Sequence, residues 1–258
     1  MSGTDKRPVA IVTGGRRGIG LGIALSLARS GFDIAVTGLG PAPDRDEALE
    51  AIRATGADAL YVQADLGALD THAGCLATIL ARFGRIDCLV NNAGISALVR
   101  GDFLDLTPEN FDAIMAINLR GTVFFTQAVV RAMLEADGAE PRSIITITSV
   151  SAAASSPERL DYCISKAALS SFSQGLALRL ATSGIAVFEL RPGIIRTDMT
   201  AGVADKYDAL IAGGLVPVGR WGEPSDIGGI CAALASGSFA FATGSVIDAD
   251  GGLSIPRL

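Results

Sequence analysis

Short apolar runs rich in β-branched residues alternate with helical segments along almost the whole 258-residue chain, and glycines punctuate the changes. Pro8–Thr13 is the first run. Gly14-Gly15 ends it, and Gly18-Ile19-Gly20 opens an Ala- and Leu-rich segment, Leu21–Ser30. Gly31 stops that helix, and Asp33–Thr37 is the second strand. Strand, glycine turn, helix, strand is a β-α-β unit, and connections of this kind join parallel strands. The alternation continues with a helix over Asp44–Thr55, a strand over Ala59–Gln63, a helix over Asp70–Phe83 and a strand over Cys88–Val90. A long helical stretch follows from Thr107, a plausible N-cap, to Ala136. Then come a strand over Ser143–Thr148, a helix over Leu160–Ser183, a strand over Ile185–Leu190, a helix over Asp226–Ala235 and a last strand over Ser245–Asp248. The pattern predicts one doubly wound α/β domain over residues 1–258, with a seven-stranded parallel sheet and helices on both faces. Neither a linker nor an internal repeat interrupts it. Thr197–Pro224 is the least regular stretch, with a helix-like piece at Ala204–Ala212, and reads as a substrate lid.

Composition narrows the function. Hydrophobic residues make up 49% of the chain and charged residues 19%, enough for a large core. A net charge of −6 argues against a basic nucleic-acid face. Cys75, Cys88, Cys163 and Cys231 are scattered with no CxxC spacing, so they read as small core residues rather than a metal site or disulfide framework. The first seven residues, Met1–Arg7, are not followed by the apolar segment of a secretory signal, and no uninterrupted apolar run approaches the roughly 18 residues that span a bilayer. The expectation is a cytoplasmic protein without a membrane partner or a bound metal.

The glycine turn is the first candidate site. Gly14, Gly18 and Gly20 lie between a strand and a helix, a Rossmann-type setting in which backbone can approach a pyrophosphate and the helix N-terminus faces its charge. Ile19 sits among them. No acid follows the second strand, where one would bind an adenosine ribose; the residues there are Thr37-Gly38-Leu39-Gly40. With no carboxylate to repel a 2′-phosphate, Arg16 and Arg17 could pair with it, which favours NADP(H) and leaves NAD(H) open. Asp65-Leu66 follows the third strand. Asp65 could accept the adenine amino group or simply close a turn.

Tyr162 and Lys166 stand four residues apart, so a helix stacks them on one face. Beside an ammonium a phenol ionises more readily and can exchange a proton near neutral pH. Alone, that spacing is a surface helix with a Tyr and a Lys. Together with Thr13-Gly14-x-x-x-Gly18-Ile19-Gly20, Asn91-Asn92-Ala93-Gly94, Asn118, Ser149 and Pro192-Gly193, however, the chain resembles the short-chain dehydrogenase/reductase family over almost its whole length. The resemblance implies an NAD(P)-dependent oxidoreductase that moves a hydride between nicotinamide and a carbonyl or secondary alcohol. In it Tyr162 would protonate the carbonyl oxygen, Lys166 would lower the Tyr162 pKa and hold the nicotinamide ribose, Ser149 would polarise the carbonyl, and Asn118 would support Lys166 through a water. Asn91, Asn92, Ala93 and Gly94 would lie against the adenosine ribose and the central sheet. Pro192, Gly193, Ile195 and Thr197 would flank the nicotinamide. His72, the lone histidine, lies away from these motifs and reads as surface.

Within the family the likeness is to 3-oxoacyl-(acyl-carrier-protein) reductases and their sugar, polyol and alcohol dehydrogenase relatives. It implies a small carbonyl or alcohol substrate, carried on a carrier protein or coenzyme A or free, and a homodimer or homotetramer. A nucleotide-sensing protein of this fold would not need Tyr162, Lys166, Ser149 and Asn118. The end of the long helix, Glu135-Ala136-Asp137-Gly138-Ala139-Glu140-Pro141-Arg142, is mostly acidic, which slows docking of an acidic carrier. Arg120, Arg131 and Arg159 would offset it only where they face the entrance.

Overall fold

In the computed structural model, which describes residues 7–43, 45–136 and 141–257, the strands are β1 (Val9–Thr13), β2 (Asp33–Gly38), β3 (Ala59–Gln63), β4 (Cys88–Asn91), β5 (Arg142–Ile147), β6 (Ile185–Pro192) and β7 (Val246–Ala249). They form one parallel sheet in the order β3-β2-β1-β4-β5-β6-β7. The helices are α1 (Gly18–Arg29), α2 (Glu47–Arg53), α3 (His72–Phe83), α4 (Pro108–Ile114), α5 (Thr122–Glu135), α6 (Leu160–Leu180), α7 (Asp198–Ala201), α8 (Ala204–Ala212) and α9 (Pro224–Ala235). This is the Rossmann-type architecture the alternation predicts.

Successive strand residues point to opposite faces, so two cores form. On one face Val12, Val36, Ile145 and Phe188 pack against Ile23 and Leu27 of α1 and Ile227 and Leu234 of α9. On the other, Ile11, Leu89, Ile144 and Val187 pack against Ile79 of α3, Phe125, Val129 and Met133 of α5, and Leu180 of α6. Each fully buried Ile or Leu contributes about 1.5–3 kcal/mol relative to exposure. All four cysteines are buried, Cys88 and Cys231 in the first core and Cys75 in the second.

The strand order reverses between β1 and β4. The turns after these two strands therefore open onto one crevice at the carboxyl edge of the sheet, the place where open α/β sheets bind ligands. Thr13 closes the bottom of it: its hydroxyl accepts from the backbone N–H groups of Asn92 and Ala93, each at 3.0 Å.

Three local readings are corrected. The run from Pro108 to Glu135 is helical throughout, but Met115–Gly121 winds as a π-helix between α4 and α5. By length and composition it could cross a membrane, yet here it lines the second core. The second helix begins only at Glu47, because Asp46 caps it by accepting from Ala48 N and Leu49 N. His72 is not on the surface. It is 4% exposed, its Nε2 is 3.0 Å from Leu66 O, and its ring meets Phe125 edge-on at 5.3 Å. The start of the chain before Arg7 and most of the acidic stretch after α5, Asp137–Glu140, lie outside the described residues.

Candidate active site

The glycine turn is shaped for backbone approach. Gly14 takes φ +65°, a left-handed conformation that costs other residues. At Gly20 a Cβ would stand 2.2 Å from Gly14 O and 2.6 Å from Asn92 Nδ2, so the turn could not close with any side chain there. Arg17, the N-cap of α1, makes no side-chain cap, and the first turn carries no acid. The helix thus presents its N–H groups and the positive end of its dipole to the crevice unspent. Thr197 reaches the same space from beyond β6, its Cγ2 3.4 Å from where a Gly18 Cβ would be. Ile19 packs on the α1-side core. These features fit a dinucleotide pyrophosphate.

Across the crevice Asn92 Nδ2 donates to Thr13 O at 2.9 Å, while Asn91, buried, donates to Thr126 Oγ1 at 2.8 Å. Ala93 packs against the second core. Asp65 Oδ1 accepts from Gly67 N at 2.8 Å, so one of its oxygens closes a turn. Leu66 is buried. Gly193 is small for a packing reason: a Cβ there would lie 2.7 Å from Asp250 Cα. Pro192 ends β6 in register with Ala249. Ile195 is buried and its carbonyl accepts from Thr200 Oγ1 at 2.9 Å.

The two arginines of the turn part company. Arg16 pairs with Asp46 (Nε to Oδ2, 3.1 Å), donates to Pro41 O at 3.1 Å and lies 4.7 Å from the centroid of the Tyr61 ring. Its charge is already answered by a carboxylate. Arg17 is exposed and, among the described residues, has no acidic partner. Leu39, also exposed, stands where an acid would meet the ribose.

Tyr162 and Lys166 share one face of α6, with Lys166 Nζ 5.7 Å from the Tyr162 ring centroid. Lys166 is buried and donates to Ile147 O at 3.1 Å. Ser149 follows β5, where its Oγ accepts from Ser151 N at 3.0 Å. Asn118, fully buried, spends its amide on structure. Nδ2 donates to Ile95 O (2.9 Å) and Ser165 Oγ (3.2 Å), and Oδ1 accepts from Ile95 N (2.8 Å). Ser165 in turn donates to Tyr162 O at 2.8 Å. The amide therefore clamps the turn after Gly94 to the tyrosine's own helix turn.

The electrostatics differ from the sequence-based expectation. Burial pushes the Tyr162 phenol above its ordinary value. Ser149 and the charges of Arg159 and Arg100 pull it back, and Lys166 is not among the groups that do so. A phenol raised in this way stays protonated near neutral pH, the form a proton donor needs. Burial lowers Lys166 from 10.5 to about 8.

That drop has a stability consequence. The unfolded chain holds the Lys166 proton up to about 10.5, while the folded one releases it near 8, so between those values the unfolded state binds more protons and stability rises with pH. The cost is fully present below about 8 and gone above 10.5. It is on the order of 3 kcal/mol. Urea unfolding of wild type and Lys166→Met at both ends of that window should show the advantage of Met shrinking by this amount toward high pH. A gap independent of pH would contradict the buried ammonium.

One residue behind the pair carried no motif. Glu189, 2% exposed on β6, accepts from Thr148 Oγ1, Ser170 Oγ and Arg191 Nε, each at 2.7 Å. Thr148 precedes Ser149, and Ser170 lies one turn beyond Lys166. A lone carboxylate inside the apolar run Ile185–Leu190 is the signal that could have revealed it.

The stretch after β6 holds a small core of its own: Trp221, Val216 and Ile211 cluster, and Trp221 Nε1 donates to Asp208 Oδ1 at 2.6 Å. A cavity of about 750 Å³ lies beside it, lined by Ile194, Ile195, Val216, Trp221 and Ile255. Tyr162, Lys166 and Ser149 do not line it.

Comparison with known proteins fits this geometry. A family model described as "Enoyl-(Acyl carrier protein) reductase" matches residues 14–254. A 3-oxoacyl-[acyl-carrier-protein] reductase from Synechocystis sp. is 35% identical over 246 residues, which cover 95% of this chain and 96% of that protein. Versicolorin reductase 1 from Aspergillus parasiticus is 32% identical over 255 residues, covering 95% of each. The crystal structure of a 3-oxoacyl-[acyl-carrier protein] reductase from Brucella melitensis in complex with NAD superposes with a TM-score of 0.96. It is 62% identical and covers 99% of this chain and 100% of that one.

Proposed function

Since the chain belongs to the short-chain dehydrogenase/reductase family of nicotinamide-dependent oxidoreductases, we propose that it reduces a 3-oxoacyl thioester to the 3-hydroxyacyl thioester with NADPH. The observation that carries the reading is the placement of Tyr162 and Lys166 on one face of α6, with Lys166 Nζ 5.7 Å from the Tyr162 ring centroid and burial keeping the phenol protonated. Similarity to proteins named 3-oxoacyl-[acyl-carrier-protein] reductase supports the substrate class.

Nicotinamide supplies the hydride when bound. Tyr162 gives its phenolic proton to the carbonyl oxygen as that oxygen gains charge, and Ser149 holds the same oxygen by a hydrogen bond. Lys166 would hold the nicotinamide ribose, and Arg159 and Arg100 favour the tyrosinate left behind. Asn118 acts as a positioning residue, fixing the turn after Gly94 against Tyr162 and Ser165. Gly14, Gly18 and Gly20 with the α1 N-terminus would hold the pyrophosphate, and Thr197 and Ile195 would flank the nicotinamide. Residues 197–224 form the lid over the substrate. Turnover of a 3-oxoacyl thioester with NADPH, above that of sugars, polyols and simple ketones, tests the reading; preference for a polyol would overturn the thioester.

Cofactor choice rests on Arg17, because Asp46 already neutralises Arg16. Arg17→Ala is expected to weaken NADPH binding about tenfold or more and NADH much less, the loss of one charge-assisted contact to a 2′-phosphate. Asp46→Asn keeps the α2 cap and frees Arg16, so it should tighten NADPH and leave NADH nearly unchanged. Titration of cofactor fluorescence measures both, and equal shifts for the two cofactors would refute the assignment.

A further inference from the structure

The charges of two guanidinium groups reach Tyr162, and among the described residues neither makes a carboxylate pair. The guanidinium carbon of Arg159 lies 5.4 Å from the Tyr162 ring centroid. Its one polar contact among the described residues, to Ser151 Oγ, is a long 3.5 Å. Arg100 comes from the segment after β4, is exposed, and its charge also reaches Tyr162. Gly101 N donates to Glu158 O at 3.3 Å, joining the two segments, and each arginine is the chain neighbour of one partner in that bond.

Eight other arginines of the described residues sit in carboxylate pairs; Arg100 and Arg159 do not. Four acids, Asp102, Asp105, Glu158 and Asp161, line the hollow between these two segments, and among the described residues Asp161 Oδ2 is buried without a hydrogen-bond partner. Asp102 Oδ1 accepts from Leu104 N, and Asp161 Oδ1 from Tyr162 N. Among the described residues Glu158, which is exposed, makes no ion pair. A half-buried cation without a partner is costly in the free protein, and it is matched when an anion arrives with the ligand. A guanidinium is suited to carboxylate or phosphate.

Resting on the reading of Tyr162 as proton donor, we infer that Arg159 and Arg100 form an anion subsite at the mouth of the active site, and that the substrate carries a carboxylate or phosphate there. Two sources share this chemistry: the carboxylate of a free oxo acid, and a phosphate of the pantetheine-bearing arm of a thioester. Arg159 also helps pull Tyr162 down, so its loss carries a second, separable effect on the pH profile.

The test compares four carbonyl substrates of one acyl skeleton: acetoacetate, acetoacetyl-coenzyme A, acetoacetyl-N-acetylcysteamine and ethyl acetoacetate. The last two carry no anion. Arg159→Gln should lower the ratio of kcat/KM for an anionic substrate to that for a neutral one by about tenfold or more, mostly through KM. Arg159→Lys should recover part of it. Arg100→Gln, at an exposed position, gives the same direction with a smaller size and guards against a folding defect. Selective loss on acetoacetate assigns the carboxylate, and selective loss on the coenzyme A ester assigns the phosphate. An unchanged ratio, with or without a shifted pH profile, would overturn the subsite and leave Arg159 as a tuner of Tyr162 alone. Failure of the underlying reading looks different, because wild type would then turn over none of the four.

Discussion

Tyr162→Phe should lose turnover by about 10²–10⁴-fold, the span of a positioned general acid. The ring stays, and with it the packing on α6 and the contact with Lys166 Nζ at 5.7 Å. Only the phenolic hydroxyl goes. Neither the glycine turn nor Thr13 touches that hydroxyl, so cofactor affinity should change less than about twofold, well under the worth of one hydrogen bond. Stopped-flow hydride transfer under single turnover, with cofactor titration alongside, separates the two quantities. Retained transfer would place the proton donor elsewhere. A large loss of cofactor affinity would mean that the phenol is part of the binding cradle instead.

Glu189→Ala is the variant expected to cost the fold most. It removes an acceptor shared by Thr148, Ser170 and Arg191, and leaves a largely buried guanidinium without its carboxylate. Breaking one side of a buried ion pair costs about 3–5 kcal/mol. Glu189→Gln keeps an oxygen toward Thr148 and should recover part of this. Urea unfolding followed by far-ultraviolet circular dichroism at fixed protein concentration measures it. Trp221 fluorescence is a poorer probe because that indole reports the segment after β6. A loss below about 1 kcal/mol, the size of an exposed pair, would show that Arg191 and the hydroxyls find other partners.

Much of the fold is legible because buried parallel strands leave a strong local trace. Ala59–Gln63 matches its run of residues, and Asp33, Cys88 and Ile185 begin their strands where the sequence suggests. Glycines at the element ends add a second local signal, as at Gly84 and Gly184, both left-handed. What stays hidden depends on partners far along the chain. The π-helical turn at Met115–Gly121 leaves the composition of a helix unchanged while rotating Asn118 into the loop at Ile95. His72 looks solitary in sequence, yet Leu66 O and Phe125 enclose it.

The candidate site shows the same division. The spacing of Tyr162 and Lys166 places them on one face, as a helix must. The direction of the tyrosine's pKa is not set by that spacing, because burial raises it and Lys166 is not among the groups that lower it. Arg16 reads as a phosphate ligand until Asp46, thirty residues on, is found against it. Arg159 does face Tyr162, whereas Arg120 and Arg131 are exposed on the long helical run.

The most direct measurement follows the hydride. NADPH deuterated at the transferred position of the nicotinamide is mixed with enzyme and a 3-oxoacyl thioester, and the product is weighed by mass spectrometry. The account predicts a 3-hydroxyacyl thioester carrying one deuterium on the carbinol carbon, formed by wild type and all but lost with Tyr162→Phe. Cofactor that stays reduced, or product without deuterium, would contradict it.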